Sequence, residues 1–452
     1  MEPLEGNMAS ASELDPVSTR QQRIAKLAQQ SPHMGFTSLA HHITTRWLYE
    51  AFLRTRKDGA VGVDGQTADD YAADLGNNLQ GLLERAKSGT YRAPPVRRVY
   101  IPKGDSPTET RPIGIPTFED KVLQRAVVMV LEAIYEQDFL PCSYGFRPGR
   151  SAHQALDQLW QQTMRMGGGW IVEVDIRKFF DTLDHVHLRE LLQLRVRDGV
   201  LLRLIGKWLN AGVLEDGTYS VPYTGSPQGG VISPLLANVY LHYVLDVWFE
   251  VAVKPRLQGR AFLIRYADDF VMGFACAEDA RRVLDVLPKR FGRYGLTIHP
   301  DKTRLVAFRP PQPADRTGPG APPPPGTFDL LGFTHFWSRS RKGTWVVKRR
   351  TARSRFQRAF RKMGLWFRLN RHRPLAEQHH TLGQKLRGHF QYYGITGNSE
   401  GLRRFRDAVT RLWWKWLQRR KRRGFLPWDQ FLRLLQRYPL PPPVPIHSVC
   451  LS

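Results

Sequence analysis

Cysteine is almost missing from this chain: Cys142, Cys276 and Cys450 stand far apart among 452 residues and form no paired spacing. That excludes a disulfide framework and a cysteine-built zinc module, and it fits a reducing compartment. No apolar run approaches the roughly 20 residues of a membrane-spanning helix, so no membrane partner is expected. The N-terminus, Met1-Glu2-Pro3-Leu4-Glu5, has neither a basic start nor an apolar stretch. No secretory signal is expected, and the expected location is the cytoplasm.

Acidic residues are scarce too, and unevenly so. The chain carries 67 Lys or Arg against 41 Asp or Glu, a net charge of +26. From Arg339 onward 28 basic residues face four acids, Glu377, Glu400, Asp407 and Asp429. That stretch holds +24 of the total and leaves +2 for residues 1–338. So large a surplus repels itself unless a polyanion neutralises it: nucleic acid, an anionic membrane surface or a heparin-like polymer.

Hydrophobic and aromatic fractions of 42% and 11% are those of a globular protein. Residues 1–36 are polar and rich in small residues, and are expected to be flexible. Prolines at 102, 112 and 116 keep the segment around them extended. A helix is expected over 120–139, with Val122, Leu123, Ala126, Val130, Ile134 and Tyr135 at helical spacing, and another after Ser151 as N-cap. Residues 171–176 then alternate: Val172, Val174 and Ile176 share one face, Glu173 and Asp175 the other. Residues 261–266 and 270–274 read as two strands joined by Ala267-Asp268-Asp269, a hairpin. The Pro/Gly tract 310–327 reads as an exposed loop between strands at 305–308 and 328–333. After Thr351 the period is helical again: Phe356, Phe360, Met363 and Phe367, then Leu402, Phe405, Val409, Leu412, Trp413 and Trp416.

An Asp in a turn is ordinarily a good turn former and nothing more. Adjacent Asp268 and Asp269 at a hairpin tip, with Asp175 ending the polar face of another strand, offer a second possibility. Nucleotidyl transfer needs two divalent ions bridging the attacking and leaving oxygens, and magnesium prefers carboxylate oxygens. Strands delivering Asp to one sheet edge supply such ligands.

Tyr266-Ala267-Asp268-Asp269 resembles the YxDD box of reverse transcriptases, and the likeness continues in order. Val174-Asp175-Ile176-Arg177-Lys178-Phe179-Phe180-Asp181 resembles their first aspartate motif. The segment from Gly225 through Gln228 and Gly229 to Ser233, Pro234 and Leu235 is similar to the PQG…SP box. Gly295-Leu296 through Lys302 is similar to the next motif, and Leu331-Gly332-Phe333 to the primer grip. Arg111-Pro112-Ile113-Gly114-Ile115-Pro116, Ser143-Tyr144-Gly145-Phe146-Arg147-Pro148-Gly149-Arg150-Ser151 and Leu386-Arg387-Gly388-His389-Phe390-Gln391-Tyr392-Tyr393-Gly394 resemble group II intron-encoded reverse transcriptase/maturases.

That resemblance implies an α+β right-hand polymerase, covering about residues 37–437: an N-terminal extension and fingers (37–170), a palm (171–338), a basic helical thumb or maturase domain X (339–437) and a Pro-rich tail (438–452). It implies that Asp175, Asp268, Asp269 and the Ile176 carbonyl hold two Mg2+ ions, for which Mn2+ can substitute. Lys103, Arg111, Phe180, Gln228 and Lys302 would meet the incoming dNTP: Lys103 and Arg111 on its triphosphate, Phe180 as the gate against a ribose 2′-hydroxyl, Lys302 at the departing pyrophosphate. Leu331, Gly332 and Phe333 would grip the primer. Arg387, Arg419, Arg420, Lys421, Arg422 and Arg423 would bind RNA, while most tryptophans among them pack the bundle core. The implied partners are a structured RNA, the group II intron, and an RNA template with a DNA primer, in a bacterial cytoplasm, as monomer or dimer. No Cys/His-rich nuclease segment is expected after the thumb. A free-standing polymerase used in repair or phage defence, and a catalytically inactive RNA-binding splicing factor, stay open as alternatives.

Overall fold

A computed structural model describes residues 17–102, 109–215, 218–220, 229–312, 325–420 and 426–447. Lys103, Gln228, Lys421, Arg422, Arg423 and most of the Pro/Gly tract lie outside the described residues.

The centre is a four-stranded antiparallel sheet in the order β6-β7-β3-β8, built from β3 (Gly169–Asp175), β6 (Ala261–Tyr266), β7 (Asp269–Phe274) and β8 (Arg304–Phe308). The alternation of β3 works as the sequence implies. Val172, Val174 and Ile176 face a large core that includes Val239, Leu245, Val283 and Phe291 from the helix Ser233–Leu241, its helical continuation His242–Asp246 and the helix Ala277–Gly292. Ile171 faces a second core with Ala155 and Leu159 of the helix Ala152–Met166. Covering both faces explains why β6 and β7 read as nearly continuous apolar runs. Ser151 caps the Ala152–Met166 helix in a full capping box, its hydroxyl accepting from Gln154 N while Gln154 Oε1 accepts from Ser151 N.

A second sheet, β2-β1-β4-β5, carries the Pro-studded segment: β1 (Val96–Pro102) pairs antiparallel with β2 (Thr110–Ile115), and short β4 (Val213–Glu215) and β5 (Thr218–Ser220) extend it. A third, β9 (Phe328–Leu330), β10 (Phe333–Arg339) and β11 (Trp345–Thr351), leads into the basic bundle. Its helices, Arg353–Asn370, Leu375–Tyr393, Ser399–Gln418 and Trp428–Arg437, close around Met363, Phe367, Leu386, Phe405, Val409 and Trp413. Trp413 is fully buried and donates to Gln378 Oε1 at 3.0 Å. Trp366, Trp414 and Trp416 pack half-buried around it, so most of these tryptophans belong to the core and the charge to the exterior.

Four expectations are corrected. Residues 1–36 are not wholly flexible: Val17–Gln30 is a helix with Ile24 and Ala28 buried on the central core. Two residues one turn apart suffice for that contact, and the polar residues between them mask it in sequence. The link between β6 and β7 has two residues, Ala267 and Asp268, because Asp269 already pairs with Tyr266. Residues 328–333 are not one strand: Leu331 (φ 52°) and Gly332 (φ 82°) form a tight turn between β9 and β10. Two consecutive left-handed residues match the twist of a two-residue hairpin. Finally, Ser233–Arg256 is helical over 24 residues and apolar enough by length and composition to cross a membrane. Its apolar window is 67% buried inside the protein, which marks a core helix.

Candidate active site

Sheet register brings the first aspartates together. Asp175, the last residue of β3, is the direct partner of Asp269, the first of β7. Asp268 sits beside them in the turn, where Ala267 takes a left-handed φ of 59°. Beyond β3 the chain continues into a bridge between Ile176 and Ile298, whose hydrogen bonds use Asp175 O with His299 N and Arg177 N with Thr297 O. The Ile176 carbonyl takes no part in that bridge.

The three carboxylates feel one another. Burial lifts the Asp268 carboxyl above its usual range and Asp175 adds to the rise, whereas Arg111 and Arg265 pull it down. Asp269 rises further, to about 6, through protein crowding and then through Asp268 and Asp175, with Arg355 opposing. Its own surface is nonetheless open, so the carboxylate is accessible to a cation. Clustered carboxylates whose charge is unfavourable are suited to a divalent ion. Among the described residues no three His, Cys, Asp or Glu side chains converge as a ready metal site. Asp175 Oδ2 accepts from Lys302 Nζ at 2.8 Å. The donors fit magnesium in kind, as hard oxygens on paired strands, once Lys302 yields.

The other sequence-derived residues fall around this edge. Arg111 is exposed on β2 with its charge acting on Asp268. Gly229 (φ 114°) lies so close to β2 that a Cβ would meet the Gly114 carbonyl at 2.5 Å, which docks Gly229 against Arg111's strand. Phe179 is buried and Phe180 half-buried beside it, ring centroids 5.3 Å apart, in a short helix opened by Lys178 at φ 48°. Arg387 is exposed on the helix Leu375–Tyr393. Arg419 stacks over Trp416 at 5.0 Å, whereas Arg420 donates to the carbonyls of His372 and Arg373 and so also braces a helix–helix turn.

Two groups escaped sequence reasoning. Arg265, fully buried behind the turn, donates to Asp246 at 2.8 and 2.5 Å, to Asn238 Oδ1, to Ser143 Oγ and to the Ala267 carbonyl at 3.0 Å. The Ala267-Asp268 turn is therefore held from behind by a satisfied ionic network. The second group is the grip of the C-terminal helical region on the Leu331-Gly332 turn. Tyr392 donates to the Leu331 carbonyl at 2.8 Å, Ala352 N to the Gly332 carbonyl at 2.9 Å, and a Cβ on Gly332 would meet Tyr393 Oη at 3.2 Å. Phe333 is buried against both tyrosines, at 5.9 and 5.3 Å. An Arg three residues before the adjacent aspartates, inside an apolar strand, was the one available signal for the first group.

Adjacent strands of a helix-backed antiparallel sheet that present Asp at one edge define the palm of a right-hand nucleic-acid polymerase. Comparison with known families makes this specific: residues 101–335 match the model of "Reverse transcriptase (RNA-dependent DNA polymerase)". The chain belongs to the reverse transcriptase family. It is 40% identical over 246 residues to "Group II intron-encoded protein LtrA" of Lactococcus lactis, covering 53% of this chain and 40% of LtrA. It is 35% identical over 329 residues to "Protein YkfC" of Escherichia coli, covering 64% of this chain and 84% of YkfC. A Schizosaccharomyces pombe protein described as "in cob intron" is 39% identical over 189 residues, covering 42% of this chain and 22% of that protein. Within the group II intron-encoded reverse transcriptase/maturases the chain thus spans less than half of LtrA.

Proposed function

We propose that this protein copies RNA into DNA by two-metal nucleotidyl transfer, and that it binds a group II intron RNA and assists its splicing and mobility. The observation that carries the polymerase reading is the pairing of Asp175 with Asp269 at the sheet edge, with Asp268 in the adjoining turn. In this reading Asp175, Asp268, Asp269 and the Ile176 carbonyl would hold two Mg2+ ions, or Mn2+ in their place, whose chemistry is to activate a primer 3′-oxygen and steady the leaving pyrophosphate. Arg111 neutralises the dNTP triphosphate, with Lys103 and Gln228 as its companions in the sequence motifs. Phe180 excludes the 2′-hydroxyl. Lys302 leaves Asp175 and turns to the pyrophosphate. Leu331, Gly332 and Phe333, tied to Tyr392 and Tyr393, hold the primer end.

The intron reading is supported by the names of the relatives and by the +24 carried after residue 338. We assign residues 37–170 to the extension and fingers, 171–338 to the palm and 339–437 to thumb and domain X, and place the protein in a bacterial cytoplasm. Extension of a DNA primer on an RNA template with magnesium tests the polymerase reading, and an inactive wild type defeats it. Sequencing RNA cross-linked to the protein in its native cells tests the intron reading, which predicts one dominant structured intron and fails on a diffuse RNA population.

A further inference from the structure

Four non-glycine residues among the described ones carry a left-handed backbone: Phe146 (φ 56°), Lys178 (φ 48°), Ala267 (φ 59°) and Leu331 (φ 52°). Three of them already belong to the site, in the segment that presents Phe180, in the catalytic turn and in the turn gripped by the thumb. Residues with a Cβ adopt this conformation only where their surroundings over-determine it, and such positions gather at functional sites. The fourth has no role in the account above, yet it touches the same place: the Phe146 ring lies 6.4 Å from the ring of Tyr266, tilted by 43°.

Two buried anchors hold Phe146 in this conformation. On one side Gly145 is pressed against the catalytic turn so closely that a Cβ would lie 2.3 Å from Ala267 N, and its carbonyl accepts from Asn238 Nδ2 at 2.7 Å. On the other, Arg147 is buried in a bidentate pair with Glu136 and also donates to the carbonyls of Leu140 and Ser143. Between these anchors the Phe146 side chain is 57% exposed, on a residue type that folding normally buries. Exposed Arg150 stands three residues beyond the second anchor, Arg147, over the Tyr144 ring at 5.4 Å.

We propose that Phe146 is a stacking platform for one nucleobase of the template–primer, fixing that strand relative to Asp268 and Asp269; this builds on the polymerase reading above. A flat ring held rigid and open suits such a task, because every base offers a π-face and no sequence needs to be read. The neighbouring Arg150 supplies positive charge for a phosphate on the same strand.

The test uses the full-length protein, a labelled RNA-template/DNA-primer duplex and four variants. Phe146→Gly and Phe146→Asn accept the left-handed backbone without the ring, whereas Phe146→Tyr and Phe146→Trp keep an aromatic face. Fluorescence anisotropy without dNTP reads affinity. The ring-less pair should bind about tenfold more weakly, the scale of one lost base–aromatic stack, with the aromatic pair close to wild type. Scanning an abasic site through template and then primer should find one position where wild type and Phe146→Gly bind alike, which identifies the strand. Thermal melting should show Phe146→Gly at least as stable as wild type. Equal affinity in all five proteins overturns the platform, as does equal loss in all four variants. Loss of folding in both ring-less variants also overturns it, by making the ring a packing element. Primer extension by the wild type keeps the two readings apart: extension with indifference to Phe146 removes only the platform, and ring-dependent binding without extension removes only the polymerase.

Discussion

Lys302 Nζ donates to Asp175 Oδ2 at 2.8 Å, so a lysine stands where a divalent cation would meet the first carboxylate. Both side chains remain about half exposed, at 54% and 42%, which leaves Lys302 free to swing away when magnesium arrives. Two consequences can be measured on Lys302→Ala. As the pyrophosphate's proton donor, its loss should lower kcat by about 10²-fold with little change in dNTP KM. As Asp175's interim partner, its loss should also lower the magnesium concentration needed for half-maximal rate. An unchanged kcat removes the first role, and an unchanged magnesium requirement the second.

Phe180 should govern sugar choice. It lies half-buried against Phe179, so packing fixes its position while part of the side chain stays accessible. Phe180→Ala should raise the efficiency of ribonucleotide incorporation relative to dNTP by about 10²-fold, the scale of a lost steric contact in a substrate pocket. Single-nucleotide incorporation with rNTP and dNTP in parallel decides it, and unchanged discrimination removes the gate.

Arg265 and Asp246 should separate stability from activity. Arg265→Met alone leaves Asp246 buried and unpaired, at a cost of about 3–5 kcal/mol in a melt or denaturant titration. Adding Asp246→Leu removes the orphaned charge and should restore most of that stability. The double variant still lacks the donor to the Ala267 carbonyl, so its primer extension should stay impaired although it is folded. Full activity in the double variant would mean that the catalytic turn holds its shape unaided.

Asp120 should shape the pH dependence of stability. Burial lifts its carboxyl from 3.8 to about 6, against the bonds it accepts from Tyr91, Trp208 and Gln124. A folded value above the unfolded one means the native state holds the extra proton between those values, so stability from this group is lost as pH rises from about 4 to 6. Relative to Asp120→Asn, wild type should gain up to about 3 kcal/mol between pH 7 and pH 4. A difference that stays flat with pH would contradict the shift.

The parts of this protein legible in sequence were those fixed by local spacing. The alternation through Val172, Val174 and Asp175, the Ser151 cap and the apolar stripe through Met363 and Phe367 each need only neighbours within a turn or a pleat. The paired aspartates were legible because their chemistry demands adjacent ligands. What stayed hidden depends on partners far apart in the chain. Glu173 accepts from Asp329 N across 156 residues, and Tyr392 reaches Leu331 across 61. The Leu331-Gly332 turn was misread for a related reason: its flanks Leu330 and Phe333 are apolar because they are buried against separate clusters, which imitates one continuous strand. The helix Val17–Gln30 was missed because its two buried residues matter only once the helix Phe118–Asp138 lies beside them.

The central claim concerns three carboxylates acting as one centre, and Asp268→Ala tests it most directly. Wild type and variant are compared for magnesium-dependent extension of a DNA primer on an RNA template, and for RNA affinity by anisotropy. The account predicts extension by wild type, none by Asp268→Ala, and equal RNA affinity. Extension by Asp268→Ala at the wild-type rate would contradict it.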